Sequence, residues 1–215
     1  MIGIIFATRM EAAPLLEAVN AAPVDESPLT LFHVALAREG KGLFVAISGM
    51  GGINAAIATQ ALILSYGVRR IVHAGICGAL STGKEIDAGD VFRIKEAVKA
   101  DRKRTYHCDP EWWDFLEDAR LVTSDAPVFD EKQRERLALK GELVDMEGAV
   151  VCRVSKMYSL PCSIIKGVTD FADRQGEKMV KKNIGPVSKK VAATLLEELK
   201  RRDSEPQPLR ECGNS

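Results

Sequence analysis

Apolar runs alternate with amphipathic segments along the chain. Residues 2–7 form a continuous apolar run, which predicts a strand buried on both faces, and the segment after it has the periodicity of a helix. Residues 29–37 and 42–49 predict an antiparallel hairpin, because a turn signal around Gly40, at 38–41, separates the two apolar runs. The first fifty residues therefore predict a strand, a helix and a hairpin.

The rest of the chain continues the alternation of strands and helices. Asp130 is a suitable N-cap for one helix, and Gly141 is a residue at which that helix can stop. The predicted elements are a buried helix at 53–67, strands at 69–80 and 87–98, a short helix at 111–119, a helix at 131–140, a strand and helix at 142–159, a strand at 161–170 and an amphipathic helix at 183–202.

The order of these elements predicts an α/β fold with three layers, in which helices cover both faces of a central mixed, twisted sheet. Residues 1–202 are expected to form a single domain, and residues 203–215, rich in polar and helix-breaking residues, a flexible tail. Ligand sites in such folds lie at the carboxyl ends of strands. Glu11, Gly75, Glu147 and Asp170 follow such ends, so the pattern predicts that they share one pocket.

Charge and composition narrow the classes of partner. The 215 residues include 30 basic and 30 acidic side chains, and this balance lacks the excess positive charge with which proteins bind nucleic acid. The N-terminal segment has no basic region of the kind that opens a signal peptide, and no apolar run reaches the ~18 residues of a membrane span. Five cysteines without CxxC spacing indicate reduced thiols and no metal site. We expect a cytoplasmic protein that binds neither nucleic acid nor membrane.

Three groups of segments carry a resemblance to a known family. They are IGIIFATRMEA, the pair SGMGGINAA and VHAGICGAL, and VDMEGA followed by SIIKGVTDFAD. Together they resemble the nucleoside phosphorylase and nucleosidase superfamily, in particular its methylthioadenosine/S-adenosylhomocysteine nucleosidase branch. The resemblance covers about residues 1 to 200 and implies the nucleoside phosphorylase-like version of the three-layer fold.

The resemblance assigns two catalytic carboxyl groups. Glu11 stands where the nucleosidases place the carboxylate that activates the attacking water, and a carboxylate also suits the cationic sugar of an oxocarbenium-like transition state. Asp170, directly after Thr169, matches the general acid that protonates N7 of the purine. That role requires a raised pKa, which the apolar residues around Asp170 in the sequence could supply. Asp173 is a weaker candidate for the acid.

Other positions match residues that bind the substrate in the family. Met146 and Glu147 correspond to the pair that packs against the ribose and accepts hydrogen bonds from its 2′ and 3′ hydroxyl groups. Met50 matches an apolar residue beside the sugar. Gly75 and Ile76 match the glycine turn that lines the pocket, where glycine lets the backbone approach the ligand closely.

Departures from the family pattern bear on the nucleophile. Many members have serine or threonine where Ile76 stands, and phosphorylases have an arginine near His73; both groups help to hold phosphate. Lys166 stands where nucleosidases often have an arginine near the water site, and it can position water or pair with Glu11. Water is therefore expected to be the nucleophile, and His73 can be a buried, hydrogen-bonded histidine.

Two further segments bear on the substrate and on assembly. In TSDAPVF, Pro127 replaces an aromatic residue that contacts the purine in the nucleosidases, which leaves Val128 as an apolar contact. The stretch from 101 to 113 differs from that of the nucleosidases, so the 5′ group of the substrate stays open. Trp112 and Trp113 are interpreted as a helix anchor or, preferably, a subunit contact, and the resemblance implies a homo-oligomer, with a dimer favoured.

These observations predict an N-ribosyl hydrolase for a purine nucleoside with a modified 5′ position, such as methylthioadenosine, S-adenosylhomocysteine or futalosine. Side chains supply the acid, the base and the electrostatic stabilisation, so no metal or organic cofactor is implied. Two alternatives stay open. One is a phosphate-dependent purine nucleoside phosphorylase, and the other is a non-catalytic binding or storage protein on the same fold.

Overall fold

The computed structural model describes residues 1–25, 29–35, 42–80 and 85–204. These ranges contain ten strands and five helices. The strands are β1 (Ile2–Phe6), β2 (Ala22–Asp25), β3 (Thr30–Ala35), β4 (Gly42–Ile47), β5 (Arg70–Ala79), β6 (Val91–Lys99), β7 (Thr105–His107), β8 (Asp118–Thr123), β9 (Leu143–Asp145) and β10 (Cys162–Asp170). The helices are α1 (Arg9–Ala18), α2 (Gly52–Leu64), α3 (Glu131–Ala138), α4 (Gly148–Met157) and α5 (Gly176–Ser204).

All ten strands belong to one sheet, and the sheet is mixed, as the sequence predicts. Its order is β10-β6-β8-β9-β5-β1-β4-β3-β2, and β7 pairs with β6. Strand β10 also pairs in parallel with β5, so β5, β10, β6, β8 and β9 form a closed ring from which β1, β4, β3 and β2 extend. The ring brings the ends of β5, β9 and β10 next to one another, and β1 joins them through its parallel pairing with β5.

Helices cover both faces of the sheet and give the predicted three layers. Helices α1 and α5 pack together on one side, and α2 and α4 pack together on the other. Each side has its own core of aliphatic residues, represented by Leu15 and Leu195 on the first side and by Leu62 and Val151 on the second. None of the described helices combines the length and apolar character of a membrane span.

The prediction of a short helix at 111–119 is wrong. Trp113 has a left-handed backbone, with φ of 55°, and β8 already begins at Asp118. Trp112 and Trp113 are both buried in the α1–α5 core, and the Trp113 indole Nε1 donates to the Thr194 carbonyl at 3.4 Å. Because their surface is covered by the chain itself, the interpretation of these tryptophans as a subunit contact is also wrong.

Other boundaries differ in smaller ways. Helix α5 begins at Gly176, earlier than predicted, and it ends at Ser204, so Asp203 and Ser204 belong to the helix and not to the tail. Residues 205–215 and the predicted turn at 38–41 lie outside the described residues. The short strands β2 and β7 and the strand β8 were not predicted. The predicted hairpin is confirmed, because β3 and β4 pair antiparallel.

Candidate active site

A cavity of about 210 Å³ opens where β1, β5, β9 and β10 end. Four carboxyl groups line it, from Glu11, Asp145, Glu147 and Asp170, and all four residues are buried. The rest of its wall is mainly apolar. The apolar side chains include Met50, Ile76, Pro127, Val128, Phe129, Val144, Met146, Val180 and Ile184.

A capping box at the start of α1 holds Glu11 in place. Thr8 is the N-cap of the helix, and its hydroxyl accepts the Glu11 backbone N–H at 3.3 Å. In return, Glu11 Oε2 accepts the Thr8 backbone N–H and hydroxyl, both at 2.7 Å. Glu11 Oε1 accepts the backbone N–H of Ile76 at 3.0 Å. The fold therefore fixes both oxygens of this carboxylate at the cavity wall.

Gly75 makes room for this carboxylate. A Cβ atom on Gly75 would lie 2.6 Å from Glu11 Oε1 and 3.5 Å from Lys166 Nζ, so a side chain here would collide with Glu11. Gly75 lies beneath Glu11 and does not line the cavity itself. Its role is to let the carboxylate and the ammonium group approach the strand closely.

Glu147 is anchored across the fold by the glycine-rich turn before α2. Its Oε1 accepts the backbone N–H of Gly51 at 2.7 Å, and Gly51 has a φ of 96°, which favours glycine. Burial raises the pKa of Glu147, as does the nearby charge of Asp145. Met146 and Met50 line the cavity near this carboxyl group, and Met50 is exposed at its rim.

Asp170 ends β10 on the opposite side of the cavity. Its Oδ1 accepts the Thr169 hydroxyl at 2.8 Å, and its Oδ2 accepts the Ala172 backbone N–H at 3.0 Å. Burial raises the pKa of Asp170, and the charge of Asp173 raises it further. Asp173 itself does not line the cavity; it accepts the Gln175 backbone N–H at 2.8 Å. A carboxyl group with a raised pKa can keep its proton and donate it.

Behind the cavity wall, Lys166 lies in a buried group with Asp145 and His73. Lys166 Nζ is 2.9 Å from Asp145 Oδ2 and 2.8 Å from His73 Nε2. Burial opposes the charges of Lys166 and Asp145, but the attraction of Lys166 holds the pKa of Asp145 well below its usual range. The carboxylates of Asp145, Glu147 and Glu11 outweigh burial in the same way and raise the pKa of Lys166.

This group also has the donor set of a metal site, since ligand atoms of His73, Asp145 and Glu147 lie within 4.8 Å of one another. The Lys166 ammonium, however, contacts both His73 and Asp145 directly. A cation of the protein thus takes the position that a metal ion would need, and the residues present do not fit a metal ion.

The structure brings most of the predicted site residues together. Glu11, Met50, Ile76, Val128, Met146, Glu147 and Asp170 all line the cavity, whereas Gly75 and Lys166 lie just beneath its wall. Sequence reasoning missed Asp145, Val180 and Ile184 as lining residues. Asp145 directly precedes Met146 and Glu147, the pair that the resemblance assigns to the ribose. Val180 and Ile184 have the i, i+4 spacing of one helix face, but Val180 lies before the predicted start of the last helix at residue 183 and Ile184 is only its second residue.

Comparison with known proteins places the chain in a family. A family model described as the phosphorylase superfamily matches residues 1–201. The chain belongs to the phosphorylase superfamily. This membership agrees with the resemblance read from the sequence and with the mixed sheet between two helix layers.

Characterised relatives within the superfamily are nucleosidases by name. The aminodeoxyfutalosine nucleosidase of Helicobacter pylori strain J99 is 25% identical over 204 residues, covering 81% of this chain and 87% of the relative. The 5′-methylthioadenosine/S-adenosylhomocysteine nucleosidase of Staphylococcus carnosus is 24% identical, covering 93% of this chain and 99% of the relative.

A solved structure confirms the fold. The native futalosine hydrolase of Helicobacter pylori strain 26695 superposes with a TM-score of 0.85 at 19% identity, and the match covers 93% of this chain and 97% of that one.

Proposed function

We propose that this protein is a nucleosidase, which hydrolyses the N-glycosidic bond of a 5′-modified purine nucleoside. The observation that carries the proposal is the arrangement of Glu11 and Asp170, two carboxyl groups in different surroundings that face one cavity. Glu11 is held by three hydrogen-bond donors, whereas burial favours the protonated form of Asp170. A fixed base and a buried acid are the two groups that this hydrolysis needs.

In the proposed reaction, Asp170 donates its proton to N7 of the purine as the bond between the base and C1′ breaks. The bonding electrons leave with the base, which therefore departs neutral. Water attacks C1′ and gives its proton to Glu11, whose Oε1 accepts one hydrogen bond from Ile76 and keeps a free lone pair. Glu147 accepts hydrogen bonds from the ribose hydroxyl groups, and Met146 and Met50 pack against the sugar.

The charges around the cavity favour water over phosphate. All charged side chains among the described lining residues are carboxyl groups, and these would repel a phosphate dianion. The nearby ammonium of Lys166 is 1% exposed and is engaged by His73 and Asp145. Phosphorolysis needs donors that face the substrate, so we infer that water is the nucleophile.

The names of the relatives and the apolar wall support a 5′-modified substrate. Val180, Ile184 and Phe129 offer apolar contact beyond the carboxyl groups, and Val128 offers it at the expected base position. Methylthioadenosine, S-adenosylhomocysteine and futalosine are the candidates, since relatives are named as nucleosidases that act on such compounds.

The test is release of free base from methylthioadenosine, S-adenosylhomocysteine, adenosine, inosine and futalosine, each with and without phosphate. Release that is independent of phosphate supports the proposal and identifies the substrate. Release that requires phosphate would make the protein a phosphorylase. Binding without release from any of the compounds would favour a storage or binding protein.

We also propose that the protein is a homodimer that assembles through α2. Ile53, Ile57 and Leu64 form an exposed apolar stripe along this helix, and Met50 continues it to the rim of the cavity. Stripes of this kind mark interaction sites, and closed symmetric dimers are the commonest oligomers. Light scattering should give twice the chain mass of 23.5 kDa, and Ile53→Glu with Ile57→Glu should give a monomer. A monomeric wild-type protein would contradict this proposal.

The cysteines support a cytoplasmic location. The four described cysteines are buried free thiols, and Cys108 Sγ lies 4.0 Å from Cys152 Sγ without a disulfide bond between them. Free thiols at this distance suit a reducing compartment. Fractionation of the source cells would test this location.

A further inference from the structure

His73 is a buried, polar residue that the proposed reaction does not use. It is fully buried in the middle of β5, and its ring contacts three groups of fixed polarity. Nδ1 lies 3.1 Å from the Ile5 carbonyl oxygen, whereas Nε2 lies 2.8 Å from Lys166 Nζ and 3.5 Å from Asp145 Oδ2. A carbonyl oxygen and a carboxylate only accept hydrogen bonds, and an ammonium group only donates them.

These contacts dictate the protonation of the ring. Nδ1 carries the hydrogen that the Ile5 carbonyl accepts. Of the two groups at Nε2, the ammonium is the closer, so Nε2 offers its lone pair to Lys166 and does not donate to Asp145. His73 is therefore neutral in this arrangement, with its proton on Nδ1. A proton on Nε2 would remove the acceptor and direct an N–H group at the ammonium 2.8 Å away.

The strand register connects His73 to the reacting groups. In the parallel pairing of β5 and β10, Gly75 lies opposite Lys166, and His73 lies two residues earlier on the same face. The ammonium of Lys166 thus has His73 on one side and the space above Gly75, which Glu11 occupies, on the other. The charges of Glu11, Glu147 and Asp145 all act on Lys166.

We propose that His73 is a positioning residue, which acts through Lys166 to fix the ammonium beneath Glu11 and Glu147. The lone pair on Nε2 holds Lys166 behind the cavity wall, where its charge offsets the two carboxylates without contacting the substrate. When this acceptor is lost, the ammonium moves and the carboxylates move with it. The inference rests on the proposed hydrolysis, because its kinetic effect is measured on that reaction.

Two variants of similar polarity distinguish the loss of the Nε2 acceptor from a general loss of packing around His73. His73→Asn keeps an amide N–H near the Ile5 carbonyl but has no atom at the position of Nε2. His73→Gln can place its amide oxygen near that position and still accept from Lys166. We expect kcat for His73→Asn to fall by about 10- to 100-fold with KM within about threefold of wild type, because small displacements of reacting groups are costly. His73→Gln should stay within about threefold of wild type.

The thermal transition is measured for each variant. A purely structural role would lower the stability of both variants together and would not separate kcat from KM. Wild-type kcat for His73→Asn, or equal losses for the two variants, would overturn the proposal.

A measurement on the wild-type protein keeps the proposal testable if His73→Asn does not fold. Nitrogen NMR of protein labelled with ¹⁵N-histidine should show one buried imidazole with its proton on Nδ1 and an accepting Nε2 at neutral pH. A buried ring that is protonated on Nε2 would overturn the proposal. If the wild-type protein releases no base from any nucleoside, the proposed function fails, and this spectrum still decides whether His73 is the acceptor of Lys166.

Discussion

The two sides of the cavity hold the same type of side chain in opposite surroundings. On one side, Glu11 and Asp145 lie near the Lys166 ammonium, and backbone N–H groups donate to both carboxylates. On the other side, Asp170 receives two hydrogen bonds, and Val144 and Ala172 lie beside it. The first surroundings hold Asp145 as a carboxylate beside an ammonium group, whereas the second favour a protonated carboxyl group at Asp170.

This difference explains how one cavity can supply both a base and an acid. The pKa of Asp145 is lowered because the attraction of Lys166 outweighs its burial, whereas the pKa of Asp170 is raised because burial dominates there. Enzymes that use two carboxyl groups commonly assign their roles through such a contrast in surroundings. In this protein, the contrast depends on one buried lysine and on where it is held.

The largest expected effect is on turnover when either carboxyl group is neutralised. Glu11→Gln and Asp170→Asn should each reduce kcat by about 10²-fold or more, the usual contribution of a general base or acid. Steady-state assays of base release measure this. Asp87→Asn is the control, because it changes an exposed aspartate that does not line the cavity. Near-normal turnover in either site variant would show that the residue lacks its assigned role.

The next effect concerns stability. Lys166→Met removes the cation from a buried ion pair and leaves Asp145 without its partner, so it should lower the free energy of unfolding by about 3–5 kcal/mol. Lys181→Met is the control, since Lys181 pairs with Glu177 on an exposed face of α5, and such exposed pairs contribute little to stability. Urea unfolding at pH 7 measures both. Equal, small losses would mean that Lys166 is not needed to hold the carboxylates.

Gly75→Ala tests whether the close approach to Glu11 matters. The added methyl group would lie 2.6 Å from Glu11 Oε1, so the carboxylate must shift, and we expect a loss of about 10²-fold in kcat/KM. Gly185→Ala is the control, because a Cβ atom there meets no atom within 4 Å. If Gly75→Ala kept wild-type activity, the position of Glu11 would not limit the reaction.

Much of the fold could be predicted from the sequence because its strands are continuous apolar runs. Segments such as β1, β5 and β10 are buried along almost their whole length, and helix signals such as Thr8 and Asp130 act locally as caps. The segment at Trp112 and Trp113 was interpreted wrongly. Its conformation depends on packing against α5, which is distant in sequence.

The candidate site was predictable where a residue lies at or just past the end of a predicted strand, as Asp170 and Glu11 do. The group formed by His73, Lys166 and Asp145 was not predictable as a unit, because it depends on the register between β5 and β10 and on the end of β9. Val144 of β9 likewise reaches this part of the cavity only through the closed ring of strands, whereas Ala172 is a local neighbour of Asp170. Side chains that meet through strand pairing leave little local signal in the sequence.

The smallest expected effect is a gain in thermal stability when Asp170 is replaced by asparagine. The folded-state pKa of Asp170 is raised, so its favourable contribution to folding is complete below the unfolded pKa of about 3.9 and is lost as the pH rises through the folded value. Asp170→Asn resembles the protonated form at every pH and avoids this loss.

At pH 7 the Asp170→Asn variant should therefore melt above wild type, by roughly 2–4 °C if the loss is about 1 kcal/mol. The difference should close as the pH is lowered towards 4, where wild-type Asp170 is protonated in both states. Thermal melts across this range, with the exposed Asp87→Asn as the control, measure the effect. A variant that melts below wild type at pH 7 would indicate that Asp170 is stabilised as a carboxylate. The two sides of the cavity would then not differ in charge state, and Asp170 could not act as the acid.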